Sequence, residues 1–530
     1  MFSQPQGWFG LREPSRAFSA IVRKDGSTVW AEDASGKTIA SGESGVDDAS
    51  VIQSALDYVP DNSHLILKGE FSITKGIVIT NRKNIMISGG VINVTQTLPT
   101  YTLYGTRRHV FGFGDCENIE LRDMTFNCNG NGGAVCFEPL DCYAYGEEPA
   151  AKNIILRNLT IRGGGKTDEY TSAIYIRNVK GIKIFNCDIS SPYSGEGIYI
   201  GAHPNYDIEI QGCIIRETWN NGIYLGEGIN DAIVCGNIFF RCGQRSETDE
   251  HAGWGTDRHA IESTSSDSQG GCNRVVIANN IMRRCAAGGV EVKGNDIIIC
   301  GNIIKECGFG IFTDVKGVVI ASNRVEYCNG DGITFQGTDI TVIGNIIKNN
   351  YTYGLGPRFC QRAYMIGNIL YENNRKGDNY YGESRIESSD TYPAQHIYYI
   401  NNYIKARSGI RGIILDKPAM DYIVIKGNTI LSDVPIYKTA DIPNYYVKGN
   451  IGYVTENSGT ATFSGDGTTT QFSIAHGLVS TPTKVQVTPM TADAASDFYV
   501  TADDTNIYIN YKSAPPSGTD NLKFSWYAEV

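Results

Sequence analysis

Hydrophobic and polar positions alternate along this chain in short runs that return at a nearly fixed period. From about residue 118 to 450, alternating apolar residues lead into Gly-Asn or Asn-Asn, and two apolar residues follow. The steps are mostly 21 to 23 residues long, which is typical of a solenoid whose units bury their apolar faces only by stacking. Each unit holds three short strands, so we predict coils about 4.8 Å apart that form three parallel sheets, as in a parallel β-helix.

Two residue types recur at fixed places in the units. The first is an asparagine, for which we predict an inner ladder, because Asn tolerates left-handed backbone and carries both a donor and an acceptor. Five positions later a cysteine recurs, and we interpret the 14 cysteines as buried thiols, since disulfide scaffolds are typical of short secreted chains. The asparagines are Asn237, Asn280, Asn302, Asn323, Asn345, Asn368, Asn402, Asn428 and Asn450, and the cysteines are Cys242, Cys285, Cys307 and Cys328.

The ends of the chain depart from the repeat. Residues 20–42 predict a small hairpin around Asp25-Gly26, within an N-terminal attachment segment over 1–44. Residues 45–58 have an acidic start and helical apolar spacing, which predicts a helix that caps a solenoid over 45–455. After about residue 456 short strands separated by Gly and Thr turns predict a C-terminal β domain, a small sandwich over 456–530.

One strand of each coil carries candidate chemistry. In this five-residue strand, for example Gly289-Val-Glu-Val-Lys293, the second and fourth residues are apolar and point inward. The third and fifth residues are therefore expected to point outward. The third positions are Tyr199, Tyr224, Glu262, Glu291 and Phe312, and the fifth positions include Lys293 and Asp314. Acids beside aromatic residues on one outer face predict a saccharide groove, in which Glu227 also lies.

Two insertions break the period at the same turn, over residues 244–259 and 375–384. Long loops in a compact repeat are more often functional than accidental, so we expect both to overhang the acidic column and to bracket a groove of about 24 Å. In the first loop, Trp254 is the preferred aromatic for stacking on a sugar, and Arg258 and His259 are further candidates for binding substrate. Glu387 follows the second loop.

Paired carboxylates suit glycoside hydrolysis, in which one protonates the leaving oxygen and the other acts as nucleophile or base. Glu262 and Glu291 on adjacent coils fit the short separation of retaining enzymes, whereas Glu262 and Asp314 fit the longer one of inverting enzymes. A plain surface ladder of Glu291, Lys293 and Asp314 is the structural alternative. A lyase would instead use Arg258, Lys293 and His259 or His251 as cation and base.

Composition and charge limit the classes of partner and cofactor that the protein is expected to bind. A net charge of −11 without a basic cluster argues against nucleic acid. No apolar run is long enough for a membrane span, and the start lacks the order of a signal peptide. No Cys or His spacing favours a catalytic metal or another cofactor, and a structural Ca²⁺ on surface carboxylates stays open.

The segment Gly45-Val-Asp-Asp-Ala, followed by the asparagine coils, resembles the pectate-lyase superfamily of right-handed parallel β-helices over roughly residues 40–455. The N-terminal hairpin and the C-terminal segment Asp466-Gly-Thr-Thr-Thr-Gln-Phe resemble viral tail spikes and tail fibres. That resemblance implies an extracellular, virion-attached homotrimer that binds and often cuts a host surface polysaccharide. Because the superfamily also hosts lyases, epimerases and adhesins without catalysis, these remain alternatives.

Overall fold

The computed structural model describes residues 18–103, 106–140, 151–166, 171–201, 205–226, 228–244, 258–263, 271–378 and 380–530. The chain divides into two compact units, Met1–Asp339 and Ile340–Val530. Both are built from β-strands that stack in parallel, coil on coil, as the repeat predicts. Among the described residues, no helix is long and apolar enough to cross a membrane.

The first unit opens with an antiparallel β-meander and one helix. Its strands are Ala20–Asp25, Thr28–Asp33 and Thr38–Glu43, and the first also pairs in parallel with the solenoid strand Ser63–Lys68. Where the sequence predicts a helix over 45–58, the structure has one over Asp48–Tyr58, whose apolar face is buried. The carboxylate of Asp48 is fully buried and accepts from Lys24 Nζ at 2.7 Å and from the Ser72 amide at 2.6 Å, which ties the helix to the meander and to the first coil.

Three sheets form the solenoid of this unit, and the chain visits them in the order sheet 1, sheet 2, sheet 3. Sheet 1 contains Ile77–Thr80, His109–Gly114, Asn131–Phe137, Ile174–Ile176, Ile198–Ile200, Ile223–Leu225 and His259–Ser263. Sheet 2 contains Ser63–Lys68, Lys83–Ser88, Glu117–Arg122, Ala151–Arg157, Val179–Phe185, Asn205–Gln211, Ile229–Cys235 and Cys272–Ala278. Two long strands, Gly288–Cys300 and Phe309–Ala321, run through both sheets, and Ile333–Ile343 extends into the second unit.

Sheet 3 is made of short strands, which are Glu70–Ile73, Val91–Val94, Thr125–Asn127, Thr160–Arg162, Asp188–Ser190, Ile214–Arg216, Ile238–Phe240, Ile281–Arg283, Ile303–Lys305 and Arg324–Glu326. Three minor strands, Tyr101–Thr102, Thr106–Arg107 and Gly165–Lys166, pair antiparallel outside the coils.

The second unit continues the same architecture and ends in an antiparallel sandwich. Its solenoid strands are Ile346–Lys348, Leu355–Ile366, Ile369–Tyr371, Ser384–Arg385, Gln395–Ile400, Tyr403–Lys405, Arg411–Leu415, Asp421–Lys426, Thr429–Leu431, Val434–Lys438 and Tyr445–Lys448. One sheet of the sandwich contains Glu456–Gly465, Lys484–Pro489 and Gly518–Glu529, and the other contains Gln471–Ala475, Phe498–Ala502 and Asn506–Tyr511, with a 3₁₀ turn at Asp493–Ala495. Their inner faces share a core that includes Phe472, Ile509 and Phe524.

The asparagine ladder is confirmed within each unit. Asn302 shows the pattern: its Nδ2 donates to Asn323 Oδ1 at 2.9 Å and to the Ile277 carbonyl at 2.9 Å, while its Oδ1 accepts from Asn280. One of the two reasons for predicting the ladder, that Asn tolerates left-handed backbone, is wrong. Left-handed backbone occurs one residue earlier, at Gly301 and Ser322 for example, and the ladder asparagines themselves have ordinary φ angles. Asn is therefore needed for its two hydrogen-bonding groups.

The cysteines are thiols, as predicted. All 13 cysteines that the structure describes are free, and 11 of them are buried. Cys242, Cys285, Cys307 and Cys328 line the inside of the turn after sheet 3. Cys235 and Cys300 differ, because they are half-buried at the outer edge of sheet 2.

Candidate active site

The predicted column on sheet 1 exists and has the predicted register. Tyr199 lies opposite Tyr224, which lies opposite Glu262, and Glu262 lies opposite Glu291. The residues flanking them along each strand, Ile223, Leu225, Ile261, Val290 and Val292 among them, are fully buried in the core. The alternation of a strand therefore places the column on the outer face of the sheet. The column continues upstream to Tyr175 and downstream to Phe312.

Two carboxylates are direct neighbours in this column. Adjacent parallel strands lie about 4.8 Å apart, so Glu262 and Glu291 occupy the spacing of a cooperating acid pair. Their environments differ from a plain exposed surface: Glu262 is only 3% exposed, and the Glu291 side chain is 13% exposed. The simple expectation of an open acidic face is thus corrected, since the pair is largely shielded from bulk water.

Two basic side chains lie beside Glu291. Lys293 Nζ lies 3.2 Å from one carboxylate oxygen, and His259 Nε2 lies 3.3 Å from the other. The prediction that His259 belongs to the inserted loop is wrong. It is the first residue of strand His259–Ser263, its side chain is fully buried, and its ring packs at a tilt against Phe309 with centroids 5.1 Å apart.

Asp314 lies apart from the pair. It is opposite Lys293 in the neighbouring coil, is exposed, and accepts from Gln336 Nε2 at 2.7 Å. It therefore belongs to the second outer column and stands two coils beyond Glu262. Arg258, immediately before His259, is half-buried.

A stack of tyrosines adjoins the carboxylates. The rings of Tyr175 and Tyr199 are parallel at 4.7 Å, and those of Tyr199 and Tyr224 follow at 5.2 Å. Burial raises the pKa of Tyr175 to about 12 and that of Tyr199 further above its usual value. These phenols therefore remain protonated at neutral pH and can donate hydrogen bonds.

Beyond this stack lies an ion cluster that was not predicted from the sequence. The buried Glu138 carboxylate accepts from Arg107 Nη2 at 2.5 Å and lies 3.4 Å from Arg177 Nη1, and the Arg107 guanidinium covers the Tyr175 ring at 4.4 Å. A signal was present, since Ala-Val-Cys-Phe-Glu138 and Ile-Tyr-Ile-Arg177 repeat the phrase of the later coils and place both residues at the fifth position.

Glu387 belongs to a separate cluster in the second unit. Its carboxylate accepts from Tyr353 Oη at 3.0 Å and lies 3.5 Å from both Arg385 Nε and Lys417 Nζ. Arg385 is nearly buried, forms an ion pair with Asp416 at 2.9 Å, and lies beneath the half-exposed ring of Tyr380 at 3.7 Å. Arg385 thus holds both acids and a loop aromatic together.

Several predicted residues lie outside the described part of the chain. These are Glu227, His251 and Trp254. A groove between the two inserted loops stays a prediction for the same reason. No group of three or more His, Cys, Asp and Glu side chains able to hold a metal ion occurs among the residues that are described.

The comparisons with known proteins agree on the fold. Residues 248–392 match the family model of the right-handed β-helix region, a segment that includes Glu262, Glu291 and Asp314. The solenoid is therefore a right-handed parallel β-helix, as predicted. No curated protein sequence matches this chain.

Solved structures with a similar fold are remote in sequence. The tailspike of Pseudomonas phage phi297 is 10% identical, with 91% of this chain and 92% of that chain covered and a TM-score of 0.44. A mutant tailspike of E. coli bacteriophage HK620 in complex with pentasaccharide is 12% identical over 89% and 82% of the two chains, with a TM-score of 0.42. The A-module of the Azotobacter vinelandii mannuronan C-5 epimerase AlgE6 is 14% identical over 77% and 96%, with a TM-score of 0.38.

Proposed function

We propose that this protein cuts a polysaccharide by glycoside hydrolysis on the outer face of sheet 1, with Glu262 and Glu291 as the reacting carboxylates. One observation carries the proposal: the two acids are register partners on adjacent strands of the outer column, where Glu262 is almost fully buried and Glu291 lies beside Lys293 and His259. Hydrolysis needs two carboxylates in different states, and different surroundings are what produce them.

The surroundings assign the roles. Glu291 lies between Lys293 Nζ and His259 Nε2, which hold its two oxygens in place, so we assign it as the carboxylate that attacks or activates water. Glu262 is the more buried of the two acids, and we assign it as the group that protonates the leaving oxygen. Their adjacent positions support retention of configuration.

The tyrosine stack supports the binding of a sugar chain along the same face. Tyrosine combines an apolar ring with a hydroxyl group that can donate to a sugar oxygen, and Tyr224 lies directly beside Glu262. Because the rings of Tyr175, Tyr199 and Tyr224 are stacked on one another, they would meet the sugar chain with their edges and hydroxyl groups at one end of the acid pair.

A lyase or epimerase acting on a uronate polymer is the second candidate. Arg107 and Arg177 at the end of the tyrosine stack are the observation in its favour, since such enzymes neutralise a carboxylate and remove a proton beside it. Both arginines, however, are already paired with Glu138. Burial raises the pKa of Tyr199, which makes a tyrosinate base unfavourable.

The sequence resemblance to viral tail spikes supports an extracellular, virion-attached homotrimer that acts on a host surface polysaccharide. The terminal motif has a defined structural role here: Asp466 caps the turn between two strands of the sandwich by accepting from the amides of Thr468 and Thr469 at 2.8 and 2.6 Å. A receptor-binding spike without catalysis is the remaining alternative, and it needs only the tyrosine face.

Glu262→Gln and Glu291→Gln test the proposal on a panel of bacterial and archaeal surface polysaccharides. New reducing ends with the wild-type chain, and a loss of about 10²- to 10⁴-fold in each variant, are expected. Glu209→Gln is the matched control, because Glu209 is an outward acid on sheet 2 paired with Lys183 at 3.4 Å. Ultraviolet absorbance from an unsaturated uronate would favour the lyase. Undiminished cleavage by both variants would overturn the assignment.

A further inference from the structure

An exposed aliphatic surface runs along the corner where sheets 2 and 3 meet in the first unit. One column on sheet 3 and one on sheet 2 supply seven branched side chains that are each 37–47% exposed. We name this surface the aliphatic strip; its members are Ile214, Ile238, Ile281 and Ile303 on sheet 3, and Ile233, Ile298 and Val319 on sheet 2.

The strip is continuous along the stack. Ile214, Ile238, Ile281 and Ile303 are successive register partners on four neighbouring coils. On sheet 2, Ile233 and Ile298 are joined through the half-buried Val276. The outer ends of the same sheet 2 strands carry Cys235, Ala278, Cys300 and Ala321. The turn between the two columns carries Gly236 and Gly301, and also the exposed polar residues Asn279 and Ser322.

Polar groups border the strip and are already paired with each other. Arg274 donates to Asp231 at 2.6 and 2.8 Å before the sheet 2 column, and Arg284 donates to Glu306 at 2.8 Å after the sheet 3 column. An apolar centre with a polar rim is the composition of a protein interface. A sugar is a poor occupant, because the strip has neither aromatic rings nor hydrogen-bonding side chains.

The area of the strip fits a stable contact. Seven aliphatic side chains about two-fifths exposed present on the order of 500 Å² of apolar surface, near the upper end of the largest patch on ordinary monomers. One partner in a standard interface contributes about 800 Å², so the strip supplies more than half of that area.

We infer that the aliphatic strip packs against the same strip of further copies of this chain, around an axis parallel to the stack of coils. Every copy presents identical branched side chains at the same coil spacing, so parallel copies in register can interdigitate them. The strip lies on a corner, with one column on sheet 2 and the other on sheet 3. Copies arranged in a ring around an axis can bury both columns, whereas a two-fold dimer that pairs one flat sheet face buries only one. The inference deepens the proposed assembly of three copies and rests on it, and it is independent of hydrolysis.

Two natural thiols report on the contact. Cys235 and Cys300 are half-buried on the strip, while the other 11 described cysteines are buried in the core. The full-length wild-type chain is sedimented over a range of concentrations and treated with a maleimide, and labelled peptides are identified by mass spectrometry. A trimer in which Cys235 and Cys300 resist labelling is the expected result.

Substitutions in the strip test whether it, and not another surface, holds the copies together. Ile281→Asp with Ile303→Asp is expected to weaken assembly at least about 100-fold and to make both thiols reactive, since buried charges without partners are costly. Ile281→Thr with Ile303→Thr keeps β-branched side chains and should weaken assembly less, which guards against misfolding of the first variant. Val46→Asp, at a position 60% exposed outside the strip, is the matched control.

The outcomes distinguish the two proposals. A wild-type trimer whose Cys235 and Cys300 react as fast as in the Ile281→Asp, Ile303→Asp variant overturns the strip and leaves the trimer intact. A wild-type chain that sediments as a monomer at every concentration overturns both. Neither result bears on cleavage by Glu262 and Glu291.

Discussion

The Nε2 atom of His259 lies 3.3 Å from Oε2 of Glu291, one coil further along the stack. Lys293 holds the other oxygen of the same carboxylate at 3.2 Å. His259 has no exposed surface, so its place in the site is to fix Glu291, as a positioning residue.

Replacing His259 by Asn is therefore expected to lower kcat about 100-fold with little change in KM, because a displaced catalytic group loses its alignment. Steady-state kinetics of the variant measure kcat and KM separately. Phe309→Leu, which removes the ring packed against His259 but spares the contact with Glu291, should lower kcat less.

The stereochemistry of cleavage is expected to be retention, because Glu262 and Glu291 are on adjacent strands. Proton NMR of the first product, before its anomers equilibrate, measures it. Asp314→Asn should keep most of the activity, since Asp314 is exposed and bonded to Gln336. Inversion, together with a collapse of activity in Asp314→Asn, would instead identify Glu262 and Asp314 as the pair.

The asparagine ladder is expected to dominate stability locally. Asn302→Ala removes a buried side chain that makes four hydrogen bonds and leaves partners unsatisfied, which should lower the free energy of unfolding by about 3 kcal/mol. Asn295→Ala is the control, because it removes an exposed bond to Asn273 and should cost less than about 0.5 kcal/mol. Denaturant unfolding of both variants provides the comparison, and equal losses would contradict it.

Glu383 gives the second unit a pH-dependent stability. Burial raises its pKa from 4.5 to about 8, while Asn373 Nδ2 donates to it at 2.7 Å. The folded chain then holds one proton more than the unfolded chain between these values, so stability falls as pH rises through that window, by about 1 kcal/mol per pH unit. Above a pH of about 8 the loss is complete.

Glu383→Gln removes this titration and keeps an oxygen that accepts from Asn373. The stability of the variant relative to the wild type should therefore increase as pH rises from about 4.5 to 8. Melting temperatures across the range test this. Glu372→Gln is the control: pairing with Lys405 lowers the pKa of Glu372, so its carboxylate is charged in both states over most of the window. A constant difference between wild type and Glu383→Gln would contradict the expectation.

Repetition made much of the fold predictable. Once Asn280 and Asn302 are aligned, the positions between them follow, so the register of Tyr224, Glu262 and Glu291 could be obtained from the sequence. The prediction of left-handed backbone was wrong by one position. Gly301 and Asn302 both favour turns, and the residue types alone do not determine which of them adopts the positive φ.

The sequence by itself determined which residues share a column, since a strand alternates its faces and a solenoid repeats its register. Only the tertiary structure decided that Glu262 is buried, that His259 is a strand residue facing Glu291, and that Arg107, Glu138 and Arg177 close the tyrosine stack. The burial and the pairing of these side chains depend on contacts between coils, whose residues are 31 to 68 positions apart in the chain, and no local pattern encodes those contacts.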